Sequence, residues 1–68
     1  MRTALKLLRI KNGFTQDKMA ERLGYSRNHY ARVENGEQEV TLKFLVALTI
    51  CFGLSIEEAK ELTKCDNE

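Results

Sequence analysis

Apolar side chains recur along this chain in five short bursts at helical spacing, separated by glycines and small polar runs. Hydroxyl residues open such bursts because their oxygens accept the free N–H groups of a first helical turn, and glycines close them. On that reading the pattern predicts a first helix from about Thr3 to Asn12, stopped by Gly13. Thr15 caps a second, which runs to Leu23 and ends at Gly24, and Ser26 caps a third that ends at Asn35-Gly36. After the loop Glu37-Gln38-Glu39-Val40, Thr41 caps a fourth helix ending at Gly53. Ser55-Ile56-Glu57-Glu58 opens a fifth as a capping box, with glutamates in the first turn and Lys64 near the end to suit the helix dipole. No segment alternates as a strand does. The expected fold is all-α, with one domain over residues 1–64 and a short polar tail over 65–68.

The second and third helices are too close in sequence to do anything but turn sharply, as in a helix-turn-helix. Met19, Leu23, Tyr25, Tyr30 and Val33 then supply the apolar contacts between them. Ala20 is small where the third helix crosses, and Gly24 sits where the turn needs a positive φ.

Gln16-Asp17-Lys18-Met19-Ala20-Glu21-Arg22-Leu23-Gly24-Tyr25-Ser26-Arg27, followed by Arg32-Val33-Glu34-Asn35-Gly36, resembles the Xre/Cro family of phage and bacterial repressors. Leu8-Arg9 and Phe52-Gly53-Leu54-Ser55 fit the same pattern, so the resemblance extends from Leu5 to about Leu62. It implies a compact five-helix, lambda-repressor-like domain, sequence-specific binding of double-stranded DNA and a homodimer on a two-fold operator. It also implies phosphate contacts from Gln16 and Asn35, and a structural ion pair between Arg9 and Glu34.

Within that frame, a wheel of the third helix puts Tyr30 and Val33 inward and Asn28, Ala31, Arg32 and Asn35 outward, with Arg27 and His29 on the flanks. Arginine grips guanine O6 and N7, and asparagine suits adenine N6 and N7, so Arg27, Asn28 and Arg32 are the expected base readers. His29 is placed to touch a base or a phosphate.

Two departures from the family pattern matter. The loop Glu37-Gln38-Glu39 replaces the usual basic residues and repels phosphates, leaving Lys43 to compensate. In the fourth helix Phe44, Ala47 and Ile50 stand where the family is polar, while Leu42, Leu45, Leu48 and Phe52 take the expected inward positions. A helix apolar nearly all round is covered on more than one side, so Phe44, Ala47 and Ile50 are expected to join the fifth helix in a homodimer interface. Leu7 is also apolar where the family is commonly polar, and the pattern gives no account of it.

Composition narrows the alternatives. A chain of 68 residues buries only about 60% of the surface it exposes when unfolded, so a partner subunit is a natural source of added stability. Two cysteines and one histidine make neither a disulfide scaffold nor a metal site. There is no nucleophile–base pair, phosphate loop or signal peptide, so an enzyme is not expected, and neither are a cofactor, a metal, a membrane partner or a small-molecule effector. The expected location is the cytoplasm of a bacterium, with a bacterial or phage gene. A net charge of only +1 is mild for a nucleic-acid binder. It leaves open a restriction–modification controller, an antitoxin, or a protein-interaction module of the same fold.

Overall fold

A computed structural model describes residues 1–67. Five helices follow in order: α1 (Thr3–Lys11), α2 (Gln16–Leu23), α3 (Arg27–Glu34), α4 (Leu42–Phe52) and α5 (Ile56–Leu62). No strand occurs among the described residues. The hydroxyl side chains perform the capping that the sequence assigns them. Thr15, Ser26 and Thr41 accept the backbone N–H groups of Lys18, His29 and Phe44, respectively. Ser55 and Glu58 form the complete capping box at α5.

α1 lacks a cap of its own and takes one from the far end of the chain. Asp66 accepts the backbone N–H of Thr3 at 3.0 Å and its hydroxyl at 2.6 Å, while the Asp66 N–H donates to the Met1 carbonyl. The hydroxyl of Thr3, then its backbone N–H, hold the Asp66 carboxyl below the usual range. Residues expected to trail as a tail from Cys65 are therefore fastened to the start of α1, and residue 68 lies outside the described residues.

The core gathers Leu5 of α1, Met19, Ala20 and Leu23 of α2, Tyr30 and Val33 of α3, Phe44, Leu45 and Leu48 of α4, and Ala59 of α5. α4 is rotated relative to the sequence expectation. Phe44, expected on an outward stripe, is only 1% exposed, and its ring lies 5.3 Å from that of Tyr25 and 6.3 Å from that of Tyr30. Ala47 is half-buried against the same core, whereas Leu42, expected inward, is 68% exposed. The aromatic side chains decide the rotation, because Phe44 fills the space beside two tyrosines that a leucine one half-turn away does not reach. The outward apolar row is instead Leu42, Val46 and Ile50, at i, i+4 and i+8, with Ile50 77% exposed.

Two buried charges tie the helices together. Glu34, 1% exposed, accepts Arg9 Nε at 2.9 Å and Nη2 at 3.1 Å, the Tyr30 hydroxyl at 2.6 Å and Gln16 Nε2 at 3.3 Å. Arg9 also donates to the Phe14 carbonyl, so α1, α2 and α3 meet at one carboxylate. The sequence does not announce the second charge, Arg2. Its guanidinium donates to the carbonyls of Thr63, Val33 and Gln38, and its backbone N–H donates to that of Glu34. Arg2 thereby satisfies the Glu34 and Thr63 carbonyls at the C-terminal ends of α3 and α5 and adds to the bond that the Val33 carbonyl accepts from Gly36. Gly36 adjoins this clamp with φ +83°, and a Cβ there would stand 3.1 Å from the Met1 nitrogen.

Burial pushes the Glu34 carboxyl up, but the bonds from Arg9, Tyr30 and Gln16 outweigh it and bring it below the ordinary 4.5. Burial, then the bond to Glu34, push the Tyr30 phenol up, and the bond to Glu34 raises Arg9.

Arg9→Met should cost roughly 3–5 kcal/mol, since it leaves a buried carboxylate unmatched, against about 3–10 kcal/mol expected in total for a domain this long. Arg9→Met/Glu34→Leu should cost less than the sum of its two single variants in urea unfolding; strictly additive losses would show that the two side chains act independently.

The Glu34 carboxylate keeps its charge to lower pH in the folded chain than in the unfolded one. Its contribution is therefore complete above about pH 4.5 and is lost as pH falls through the lower folded value. Stability should be level between about pH 5 and 7 and drop below pH 4.5. Glu34→Gln should be weaker at neutral pH with a flatter acid limb, and an acid limb as steep as that of the parent protein would assign the effect to other carboxyls.

Candidate nucleic-acid interface

The α2–α3 corner is built on Gly24, whose φ of +82° ends α2 in the left-handed region. The Gly24 N–H donates to the Glu21 carbonyl and the Tyr25 N–H to that of Ala20, which closes the turn. Ser26 then caps α3 at once. Ala20 is buried at the crossing, and Tyr30 and Val33 are buried on the inner side of α3. The opposite side of α3 is open.

Arg27, Asn28, Arg32 and Asn35 are exposed there, with Ala31 half-buried between them. Arg27 Nε lies 3.9 Å from Asp17 Oδ1 of α2, with both side chains well exposed. Such a surface pair is worth little and is easily exchanged for another partner. Asn35 occupies the C-cap position of α3.

His29 is less free than its place on the wheel implies. It is half-buried and stacks on Tyr25, with ring centroids 4.6 Å apart and planes 13° from parallel. Lys43, from the first turn of α4, holds its ammonium 5.7 Å from the Tyr25 ring centroid. One tyrosine at the corner thus gathers His29 and Lys43 beside the N-terminal end of α3, and Lys43 itself remains exposed.

Gln16 opens α2, where free N–H groups and the helix dipole favour an anion. Its side chain is half-buried, and its amide nitrogen donates to Glu34. An amide group carries two N–H donors, and the bond to Glu34 holds one of them inward. Glu37 and Glu39 are exposed after α3, and their loop is fixed at Gln38 by Arg2 and by the Gln38 N–H bonded to the Arg32 carbonyl. The acidic loop is therefore held in position beyond the C-terminal end of the exposed side of α3.

Sequence reasoning missed Arg2, Asp17 and the Tyr30 hydroxyl in this neighbourhood. Tyr30 and Glu34 stand four apart on one helix, a legible signal. Arg2 reaches partners 31 to 61 positions away, which no local pattern encodes. Among the described residues no group of three or more His, Cys, Asp or Glu side chains is arranged to hold a metal ion. None of the helices described is long and apolar enough to cross a membrane.

A family model described as helix-turn-helix matches residues 5–59. The chain is 33% identical over 58 residues to an uncharacterized HTH-type transcriptional regulator of Methanocaldococcus jannaschii, covering 85% of this chain and 88% of that protein. It is 35% identical over 57 residues to the uncharacterized HTH-type transcriptional regulator YgzD of Bacillus subtilis, covering 84% of this chain and 83% of that protein. It is 38% identical over 53 residues to the SPbeta prophage-derived uncharacterized HTH-type transcriptional regulator YonR, also of Bacillus subtilis. That match takes in 78% of this chain but only about half, 49%, of the prophage protein. No solved structure matches it significantly. A helix-turn-helix corner with an open polar face on its second helix, together with these matches, places the chain in the Xre/Cro-like helix-turn-helix family of DNA-binding transcriptional regulators.

Proposed function

We propose that this protein is a sequence-specific, homodimeric regulator that lays α3 in the major groove of a two-fold operator and acts as a repressor or autoregulator. The observation that carries the reading is the division of α3 into two faces. Tyr30, Val33 and Glu34 are locked inward, while Arg27, Asn28 and Arg32 stand in solvent. Recognition helices read bases chiefly from their N-terminal half, which places Arg27 and Asn28 first, with Arg32 one turn further along.

Gln16, Asn35 and Lys43 flank that face and act on the phosphate backbone. Lys43 supplies charge, and Gln16 supplies an oriented N–H. His29, stacked on Tyr25, is a side contact to a base or phosphate and helps to hold the corner. Asp17 lies close to Arg27 but holds it only weakly, so DNA displaces it at little cost. With Glu37 and Glu39 repelling phosphates close by, affinity leans on direct base contacts more than on counterion release.

The dimer surface belongs to the Leu42–Val46–Ile50 row of α4, which replaces the Phe44–Ala47–Ile50 set. A row of three aliphatic side chains facing solvent across the length of a helix buries itself best against its own copy, about a two-fold axis. Operator occupancy then follows protein concentration through the monomer–dimer equilibrium, in the cytoplasm of the cell that carries the operator.

The decisive experiment is footprinting on the DNA upstream of the protein's own gene, with binding measured across a salt series. Arg32→Ala should weaken operator binding by about 1–3 kcal/mol and relax preference at one base pair. Lys43→Ala should weaken all sequences alike and lower the salt slope by about one. A parent salt slope as steep as that of a strongly basic repressor, near −10, or an Arg32→Ala variant with unchanged sequence preference, would remove the base-reading role.

Ile50→Lys should remain folded by circular dichroism, sediment as a monomer and bind the operator at least tenfold more weakly. Loss of helicity would instead assign Ile50 to the core, and a dimer of parental affinity would move the interface elsewhere.

A further inference from the structure

Leu54 and Leu62 form the floor of an open groove of about 370 Å³ along α5, with Glu57, Glu58 and Glu61 around it. The DNA-reading surface does not use this groove. Glu58 is fixed there by its capping bonds, at 2.9 Å from the Ser55 nitrogen, and Lys64 lies 3.0 Å from Glu61 and offsets one of the three charges. The surface is thus apolar at its centre and net negative at its edge.

That chemistry selects the occupant. Phosphates and anionic surfaces are repelled. A second copy of the same groove is repelled as well, since pairing it on itself would bring like carboxylates face to face. What fits is a pair of aliphatic side chains flanked by cations.

The chain carries one such ridge among its described residues. On α1, Leu7 and Ile10 are exposed at i and i+3, and helical geometry sets Lys11 on one side of Leu7 and Lys6 on the other. The α4 row does not match, because Lys43 stands only near its first member and lies over Tyr25. Leu7 and Ile10, 59% and 52% exposed, also lie outside the core cluster.

We propose that the Leu7–Ile10 ridge of one copy docks in the Leu54–Leu62 groove of a second, with Lys6 and Lys11 against Glu57, Glu58 and Glu61. Ridge and groove are different surfaces, so the contact is heterologous and links copies head to tail. It is independent of the α4 row and of DNA reading. A contact this small falls in the weak, transient class. It matters when copies are already held close together, as on neighbouring DNA sites, where effective concentrations reach about millimolar. There it links bound copies and makes their binding cooperative. Exposed charges are screened by salt, so the association weakens as ionic strength rises.

The test is a charge swap. Lys6→Glu/Lys11→Glu and Glu57→Lys/Glu61→Lys are each made in the parent chain and in the Ile50→Lys chain, and folding is verified by circular dichroism. Association is read by sedimentation and by anisotropy of a labelled copy titrated with an unlabelled one. In the parent background the α4 dimer should persist, so the contact is read in the Ile50→Lys chain, a monomer when dilute, titrated up to about millimolar protein. There each reversed chain should associate at least tenfold more weakly than the unreversed Ile50→Lys chain, and mixing the two reversed chains should restore affinity to within threefold. Should a reversed chain fail to fold, Lys6→Gln/Lys11→Gln and Glu57→Gln/Glu61→Gln take its place. Each alone should lose affinity, and mixing the two should recover it, because the unaltered ridge of one then meets the unaltered groove of the other. Equal affinities in every pairing, or reversed chains that fail to rescue one another while folded, overturn the proposal.

Discussion

A carboxylate inside so small a protein has to be answered by donors, and Glu34 is answered from three helices at once. Arg9 brings α1, Gln16 brings the first turn of α2, and Tyr30 reaches it from one turn earlier on α3. Every one of these bonds also restricts a helix of the helix-turn-helix corner or the helix packed behind it. The cluster sits at the C-terminal end of α3, where Arg2 takes up the carbonyl of Val33 and receives the carbonyl of Glu34 on its backbone N–H. α3 is thus capped by Ser26 at one end and clamped by charge at the other. Among the described residues no buried side-chain nitrogen or oxygen is left without a partner, so the polar interior adds rigidity without leaving an unmatched group.

This rigidity has a functional counterpart. With a net charge of only +1, bulk attraction to DNA is small. On the proposed reading, the acidic loop after α3 reduces it further along the surface that would approach the duplex. The proposed function then draws its affinity from directional groups held on a fixed helix, the kind that discriminates between base pairs. The Gln16–Glu34 bond fits the same proposal, since it fixes the Gln16 side chain in advance.

α4 and α1 show how the chain distributes apolar surface beyond its core. Phe44 is drawn inward by two tyrosines, which turns Leu42, Val46 and Ile50 to solvent on the other side. α1 keeps Leu7 and Ile10 outside between lysines, while α5 offers leucines between glutamates. The neutral row suits a symmetric contact, and the charged pair of surfaces suits an asymmetric one.

The sequence by itself determined the helices, because their signals are local. Hydroxyl caps, closing glycines and the capping box at Ser55 act within four residues, and each forms as read. The inward and outward sides of α3 were legible for the same reason, since an eight-residue helix with two apolar positions has one way to bury them. The Arg9–Glu34 contact was legible only through the family resemblance. Tertiary structure alone decided the rotation of α4, the clamp made by Arg2, the cap that Asp66 lends to α1 and the stacking of His29 on Tyr25. α4 is apolar around most of its circumference, so its own pattern cannot choose a face, and the choice falls to the shape of the cavity that Tyr25 and Tyr30 leave for Phe44. Arg2 and Asp66 act on partners at the opposite end of the chain, a proximity that exists only once the five helices have closed.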